Sequence, residues 1–146
     1  MKIITMEKID KIKIIIVDDN HNFIEGLRLL ISSLKNFEII DTYYNGLEAV
    51  NSKKLGKANL ILMDIQMPVM NGITAAKNIN ILHPNLSMIA ITMDLEKAYL
   101  EEIILSGFSG FIHKPQVAKK LESVIDSVLN GEFVFPDTLG NDTIKK

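Results

Sequence analysis

The sequence has no cysteine, and Arg28 is its only arginine. Without cysteine, disulfide frameworks, zinc ribbons and thiol catalysis are all excluded. With one arginine and a net charge of −2, the chain also lacks the basic surface that nucleic-acid binding needs, so we expect no DNA-reading element in this stretch. No apolar run approaches the ~18 residues of a membrane span, and residues 1–13 lack the apolar centre of a signal peptide. We therefore expect no membrane contact, and a cytoplasmic protein is the simplest interpretation.

The length and composition that remain are those of one globular domain. The chain has 146 residues, of which 47% are hydrophobic and 23% are charged. A chain of this length can bury a sizeable core without disulfides or a structural metal. We divide it into an N-terminal extension (1–11), a domain (12–131) and a C-terminal tail or linker (132–146).

Short β-branched runs alternate with segments of helical periodicity. Two of the runs, Ile14–Val17 and Leu60–Met63, are almost unbroken in apolar character, as is typical of central strands covered on both faces. The run at Phe37 is more mixed and is expected at an edge. The five predicted strands are Ile12–Val17, Phe37–Thr42, Asn59–Met63, Ser87–Thr92 and Phe108–His113.

A helix-like segment follows each run, and the last is the most regular. Val117, Leu121, Val124 and Val128 lie on one stripe of it, and Gly131 is a natural C-terminal stop. The second helix is expected to start at an Asn45 cap, and the third after Gly72. Alternating strands and helices predict an α/β fold, a doubly wound (βα)5 sandwich whose parallel sheet carries helices on both faces.

Polar residues follow four of the five strands. Asp18 and Asp19 follow the first, Asp64 follows the third, Thr92 ends the fourth, and Lys114 follows the fifth. Ligands of open parallel sheets bind at the carboxyl ends of the strands, so these side chains are expected to converge. Converging carboxylates repel one another, and Mg²⁺ would relieve that repulsion while accepting phosphate oxygens. A carboxylate nucleophile, a metal, an ammonium and a hydroxyl together indicate phosphoryl chemistry.

Each of these residues also has an ordinary structural explanation. An Asp pair after a strand is often a helix-capping turn, Thr92 could end a strand or cap a helix, and Lys114 could be a solvated surface residue. The three histidines, His21, His83 and His113, are interpreted as surface residues. The joint placement at four strand ends favours the functional interpretation.

The segment Met63–Gly72 closely resembles the phosphoacceptor loop of the receiver domains of bacterial two-component response regulators (CheY-like domains). The resemblance extends from Lys13 to about Pro136, nearly the whole chain. Its other motifs are Val17–Asp19, Asn45–Ala49, Ile91–Thr92, Gly110–Phe111 and Lys114–Pro115. It implies a CheY-like, flavodoxin-like fold with strand order 2-1-3-4-5.

The resemblance also implies a role for each matching residue. Asp64 would accept the phosphoryl group, and Mg²⁺ would be held by Asp18, Asp19, Asp64 and the backbone carbonyl of Gln66. Thr92 would be the switch hydroxyl and Lys114 the contact to the phosphoryl oxygens, with a cis peptide between Lys114 and Pro115. Phe111 would be the switch aromatic, rotating inward when Asp64 is phosphorylated.

One residue departs from the family pattern. Met93 follows the switch threonine, where the family usually has a small residue, and it is expected to crowd the phosphoryl pocket.

The resemblance implies a sensor histidine kinase as partner and a phosphorylation-promoted homodimer. The stretch from Leu121 to Pro136 is similar to the end of NarL/FixJ-type receivers, which continue into a helix-turn-helix domain; DNA contact would come only through such a domain, absent from this chain. We expect no enzymatic activity beyond self-phosphorylation and self-dephosphorylation. Three alternatives stay open: a stand-alone receiver, a docking module that works without phosphorylation, and a Mg²⁺-dependent hydrolase of phosphate esters. The hydrolase is disfavoured because Gln66 occupies the place of its general acid.

Overall fold

The computed structural model describes residues 10–93 and 96–136. Five parallel strands form one sheet in the order β2-β1-β3-β4-β5, which confirms the predicted topology. The strands are β1 (Ile12–Val17), β2 (Phe37–Tyr43), β3 (Leu60–Met63), β4 (Ser87–Thr92) and β5 (Gly110–His113). The helices are α1 (His21–Ser32), α2 (Gly46–Val50), α3 (Gly72–Leu82), α4 (Lys97–Leu105) and α5 (Val117–Leu129), with short 3-10 turns at Leu55–Lys57 and Lys114–Gln116.

The sheet separates two hydrophobic cores. Because successive side chains of a strand point to opposite faces, β1 sends Ile14 and Ile16 to one core and Ile15 and Val17 to the other. The first core lies under α1 and α5, and the second lies under α2, α3 and α4. All four of these β1 residues are fully buried, as expected for a central strand. β2 has no fully buried residue, which agrees with the edge position expected for it.

Three of the helices begin on an asparagine cap placed just past a strand end or loop. The side chains of Asn20, Asn45 and Asn71 each accept a hydrogen bond from the backbone N–H three residues on. Only the Asn45 cap was predicted. There, the Glu48 carboxylate also accepts a hydrogen bond from the N–H of Tyr44, at 2.8 Å. These caps fix where α1, α2 and α3 start and so fix the loops in front of them.

Two local predictions need correction. β5 begins at Gly110 rather than Phe108, because Gly107 turns the chain at a φ of 108° and the side chain of Phe108 is buried before the strand starts. The peptide between Lys114 and Pro115 is trans, as are all peptides in the described ranges. Pro115 lies in the first turn of the 3-10 helix Lys114–Gln116, where a missing N–H costs nothing and a trans bond fits.

The segment after α5 adds to the sheet. Val134 forms a parallel bridge with Gly110, accepts a hydrogen bond from the N–H of Phe111 at 2.9 Å and donates one to the carbonyl of Ser109 at 2.9 Å. Val134 packs into the core under α1 and α5, and Phe135 packs into the core under α4. We call Phe133–Phe135 the edge segment. It covers the free edge of β5, although it belongs to the stretch that sequence assigns to a tail or linker; residues 1–9 of the expected extension and 137–146 of that stretch lie outside the described residues.

Candidate functional site

Asp18, Asp19 and Asp64 meet at the carboxyl edge of the sheet. β1 and β3 are neighbours with Val17 paired to Met63, so the residues that follow them emerge side by side. The N–H of Asp64 donates to the carbonyl of Val17 at 2.9 Å, which locks the two strand ends together. Carboxylate oxygens of the three aspartates lie within 4.8 Å of one another. The convergence expected from the strand ends is therefore present.

Asp18 and Asp64 are held in the same way. Each is buried, with 2% and 6% of its surface exposed. Asp18 Oδ1 accepts a hydrogen bond from the N–H of Asn20 at 2.8 Å, and Asp64 Oδ1 accepts one from the N–H of Ile65 at 2.7 Å. In both residues, one oxygen is fixed by the backbone and the other faces the pocket. Asp19 is exposed and closes the cluster on the solvent side.

Lys114 joins the two buried carboxylates. Its Nζ lies 2.9 Å from Asp18 Oδ2 and 3.1 Å from Asp64 Oδ2, and its side chain is 12% exposed. Burial acts to lower the pKa of Lys114, but the hydrogen bond to Asp18 and the charge of Asp64 outweigh it, so the pKa is raised. The ammonium is therefore retained at neutral pH.

The pKa of Asp18 is also raised, but for a carboxyl group this disfavours the charged form. Burial raises its pKa above the ordinary value, and the hydrogen bonds from Lys114 and from the N–H of Asn20 offset this only in part. The nearby charge of Asp64 raises the pKa further. One ammonium thus leaves three close carboxylates incompletely balanced.

The donor set fits Mg²⁺. All three side chains offer the hard carboxylate oxygens that Mg²⁺ prefers, and Asp19 is exposed, so water could also reach an ion bound there. Gln66 is exposed two residues past Asp64. The use of its backbone carbonyl as a metal ligand stays a prediction.

Thr92 ends β4 at the same edge of the sheet and is 2% exposed. Phe111 lies on β5 and is 7% exposed, packed in the core under α4 with Leu100 and Ile103. The resemblance implies that Phe111 rotates inward on phosphorylation. The ring is buried in this structure, and the rotation stays a prediction.

Sequence reasoning missed one neighbour of the pocket. The Phe23 ring lies under Lys114, with Nζ 4.5 Å from the ring centroid. Phe23 also packs against the core under α1 and α5. The only signal available in the sequence is that Phe23 lies in the first turn of the helix that follows the aspartate pair.

The histidines take no part in the acidic cluster. His21 is exposed and stacks on Tyr44, with ring centroids 4.1 Å apart. His83 and His113 are half-buried rather than fully at the surface. His113 Nε2 lies 3.1 Å from the carbonyl oxygen of Met93, which ties the end of β5 to the loop after β4.

The chain belongs to the response regulator receiver domain family, whose model matches residues 14–126. Among curated proteins it is 34% identical to the transcriptional regulatory protein LnrK of Bacillus subtilis over 128 residues, 88% of this chain and 58% of that protein. It is 33% identical to a protein-glutamate methylesterase/protein-glutamine glutaminase of Clostridium acetobutylicum, over 82% of this chain and 35% of that protein. The chain thus spans little more than half of the transcriptional regulators it matches first.

Solved structures agree with this assignment. The response regulator domain of Thermotoga maritima CheB is 32% identical with a TM-score of 0.75, over 82% of this chain and 97% of that one. The CheX-CheY-BeF3-Mg+2 complex from Borrelia burgdorferi contains a chain 30% identical with a TM-score of 0.76, over 82% of this chain and 90% of that one. The chain is a receiver domain of the two-component response regulators and has the CheY-like fold. None of the helices in the described ranges is both long and apolar enough to span a membrane.

Proposed function

We propose that this receiver domain takes a phosphoryl group on Asp64 from the phosphohistidine of a sensor histidine kinase, in a Mg²⁺-dependent reaction. The observation that carries the proposal is the setting of Asp64. Its carboxylate is 6% exposed, one oxygen is fixed by the N–H of Ile65, and the other faces Lys114 in a cluster of three carboxylates. That arrangement supplies a nucleophile, a metal site and a cation within one pocket.

In the proposed reaction, an oxygen of Asp64 attacks phosphorus as the phosphorus–nitrogen bond of phosphohistidine breaks. The imidazole leaves with the electron pair of that bond; because its other ring nitrogen carries a proton, the leaving ring is neutral, and Asp64 becomes an acyl phosphate. Lys114 neutralises charge on the transferred oxygens and the Thr92 hydroxyl donates to one of them. Mg²⁺ held by Asp18, Asp19, Asp64 and the Gln66 carbonyl would supply further charge neutralisation and orientation.

The phosphorylated domain would act by a change of shape. An acyl phosphate adds negative charge and strong acceptor oxygens, which draw Thr92 and Lys114 toward Asp64 and bias the packing of Phe111. The phosphoryl group can shift the equilibrium between the inactive and the active conformation only by the difference between its interaction free energies with those two conformations. The surface that changes shape would be the one built by α4, β5 and α5. The changed surface would promote dimerisation.

We further propose that the domain forms the N-terminal part of a NarL-type transcription factor, working in the cytoplasm. This is supported by the transcriptional regulators among its relatives, of which the chain covers 58% in LnrK. DNA binding would then reside in a helix-turn-helix domain beyond this chain. The chain also matches 35% of a protein-glutamate methylesterase, so an enzyme is the second kind of protein in which this domain could occur.

The test is intact-mass spectrometry after incubation with Mg²⁺ and acetyl phosphate. We expect one added phosphoryl group on the wild type, none on Asp64→Asn and none in excess EDTA. Asp126→Asn, which changes an exposed aspartate of α5 in the same way, should be phosphorylated like the wild type. Phosphorylation of Asp64→Asn would refute the assignment of Asp64. A wild type that stays unmodified would favour the docking module, and turnover of a model phosphate ester would favour the hydrolase.

A further inference from the structure

Lys114, on which the proposed chemistry depends, is a long side chain whose ammonium meets the two carboxylates of Asp18 and Asp64. A lysine has four rotatable side-chain bonds and loses considerable freedom when its head is fixed. The partners also change during the proposed reaction, since Mg²⁺ would draw on Asp18 and a phosphoryl group would cover Asp64. A contact that does not depend on either carboxylate would keep the ammonium in place throughout.

The structure supplies such a contact in Phe23. The Lys114 Nζ lies 4.5 Å from the centroid of the ring, within the range of a cation–π interaction. With the lysine side chain 12% exposed, much of the water that weakens such contacts is excluded. The ring interacts with the positive charge itself, so the attraction remains when Asp18 and Asp64 take other partners.

The position of Phe23 is itself fixed from the acidic pocket. The N–H of Phe23 donates to the side chain of Asn20 at 3.0 Å, and the N–H of Asn20 donates to Asp18 Oδ1 at 2.8 Å. Asp18 Oδ2 in turn meets Lys114 Nζ at 2.9 Å. Asp18, Asn20, Phe23 and Lys114 therefore form a closed ring of contacts, in which the cap of α1 sets the aromatic ring against the ammonium.

We propose that Phe23 is a positioning residue for phosphoryl transfer to Asp64, holding the Lys114 ammonium at the pocket by a cation–π contact. The proposal rests on the proposed function of Asp64. It gives Phe23 a role distinct from its packing against the core under α1 and α5.

The first test replaces the ring and measures the rate of phosphorylation by acetyl phosphate. Phe23→Leu keeps the apolar character and removes the ring, and we expect the rate to fall about threefold to tenfold, within the range of a cation–π contact. Phe23→Tyr keeps the π face and should stay within about twofold of the wild type. Phe37→Leu is the matched control, because Phe37 packs against the same core at the opposite end of the sheet; its rate should equal that of the wild type.

The second test separates electrostatics from packing. Fluorinated phenylalanines placed at position 23 change the ring volume little but weaken its negative face step by step. We expect the phosphorylation rate to fall steadily with the number of fluorines, while the urea midpoint of unfolding changes much less. A rate that does not vary along the series, or a Phe23→Leu rate equal to that of the wild type, would overturn the proposal.

A third measurement is independent of phosphorylation. Protons of a methylene that lies over an aromatic ring are shifted upfield in NMR spectra, so the ε-methylene of Lys114, assigned by the loss of its signal in Lys114→Arg, should be shifted in the wild type and not in Phe23→Leu. If the wild type is never phosphorylated, the proposed function fails, and this shift alone decides the contact. Equal shifts in the two proteins would show that the ring does not hold the lysine.

Discussion

The edge segment Phe133–Phe135 allows a sharp test of how far the fold extends, because two phenylalanines two residues apart have opposite environments. Phe135 is 1% exposed in the core under α4, whereas Phe133 is 36% exposed. Truncating a buried phenylalanine to alanine typically costs about 3–5 kcal/mol, from lost burial and from the cavity left behind. We expect a loss in that range for Phe135→Ala, and about 1 kcal/mol or less for Phe133→Ala.

The loss from Phe135→Ala has an upper limit set by the segment itself. The segment follows α5 and is attached by two backbone hydrogen bonds, so it could detach once its anchor is gone. The cost of Phe135→Ala therefore cannot exceed the free energy with which the whole segment docks. A chain ending at Gly131 measures that limit and should be destabilised at least as much as Phe135→Ala.

The assay is urea unfolding at equilibrium, followed by circular dichroism. A lower midpoint with an unchanged dependence on urea would report a change in stability alone. Equal midpoints for Phe135→Ala and Phe133→Ala would refute the reasoning, since they would mean that the edge segment is not packed in solution. A truncated chain as stable as the full one would do so as well.

Three further predictions concern the pocket and its loops. A Cβ on Gly72 would collide with the backbone carbonyl of Asp64, whereas one on Gly26, in the exposed middle of α1, meets nothing within 4 Å. We expect Gly72→Ala to lower the free energy of unfolding by about 1–3 kcal/mol, and Gly26→Ala to raise it by about 0.5–1 kcal/mol; a stable Gly72→Ala protein would contradict the close approach. The pKa of Asp18 is raised in the folded chain, so ionising Asp18 lowers the free energy of unfolding at a pH above the raised pKa. Below the ordinary pKa of 3.8, Asp18 is protonated in both the folded and the unfolded chain, and this loss of stability is absent. Asp18→Asn should therefore unfold at higher urea than the wild type at pH 7 without metal, and this advantage should disappear as the pH falls toward 3.8; an advantage independent of pH would count against the raised pKa. Met93 is 61% exposed beside the end of β4. We expect Met93→Ala to speed phosphorylation by acetyl phosphate, because the smaller side chain would open the phosphoryl pocket. Unchanged rates of phosphorylation and dephosphorylation would show that Met93 does not crowd the pocket.

The order of elements and the place of the acidic site were predictable from the sequence, because both follow from local patterns. The apolar runs Ile14–Val17 and Leu60–Met63 mark strands covered on both faces, and the stripe along α5 marks a helix with one buried face. Parallel strands end at one edge of a sheet, so Asp18, Asp64 and Lys114 had to emerge near one another once the order was set. The strand order itself was expected only from the resemblance to receiver domains.

Only the tertiary structure decided which side chains touch within that frame. The Phe23 ring meets Lys114 because β1 and β5 lie in one sheet and the Asn20 cap fixes the first turn of α1. The apolar periodicity of α1 predicts which face of the helix is buried, but it does not predict this contact. The short run Phe133–Phe135 reads as the start of a tail, since it has no period long enough to indicate an element. It becomes part of the fold because Val134 pairs with the edge strand β5 and Phe135 is buried in the core under α4. Sequence patterns report which faces are apolar, whereas pairing and packing between distant segments depend on the three-dimensional positions of both partners.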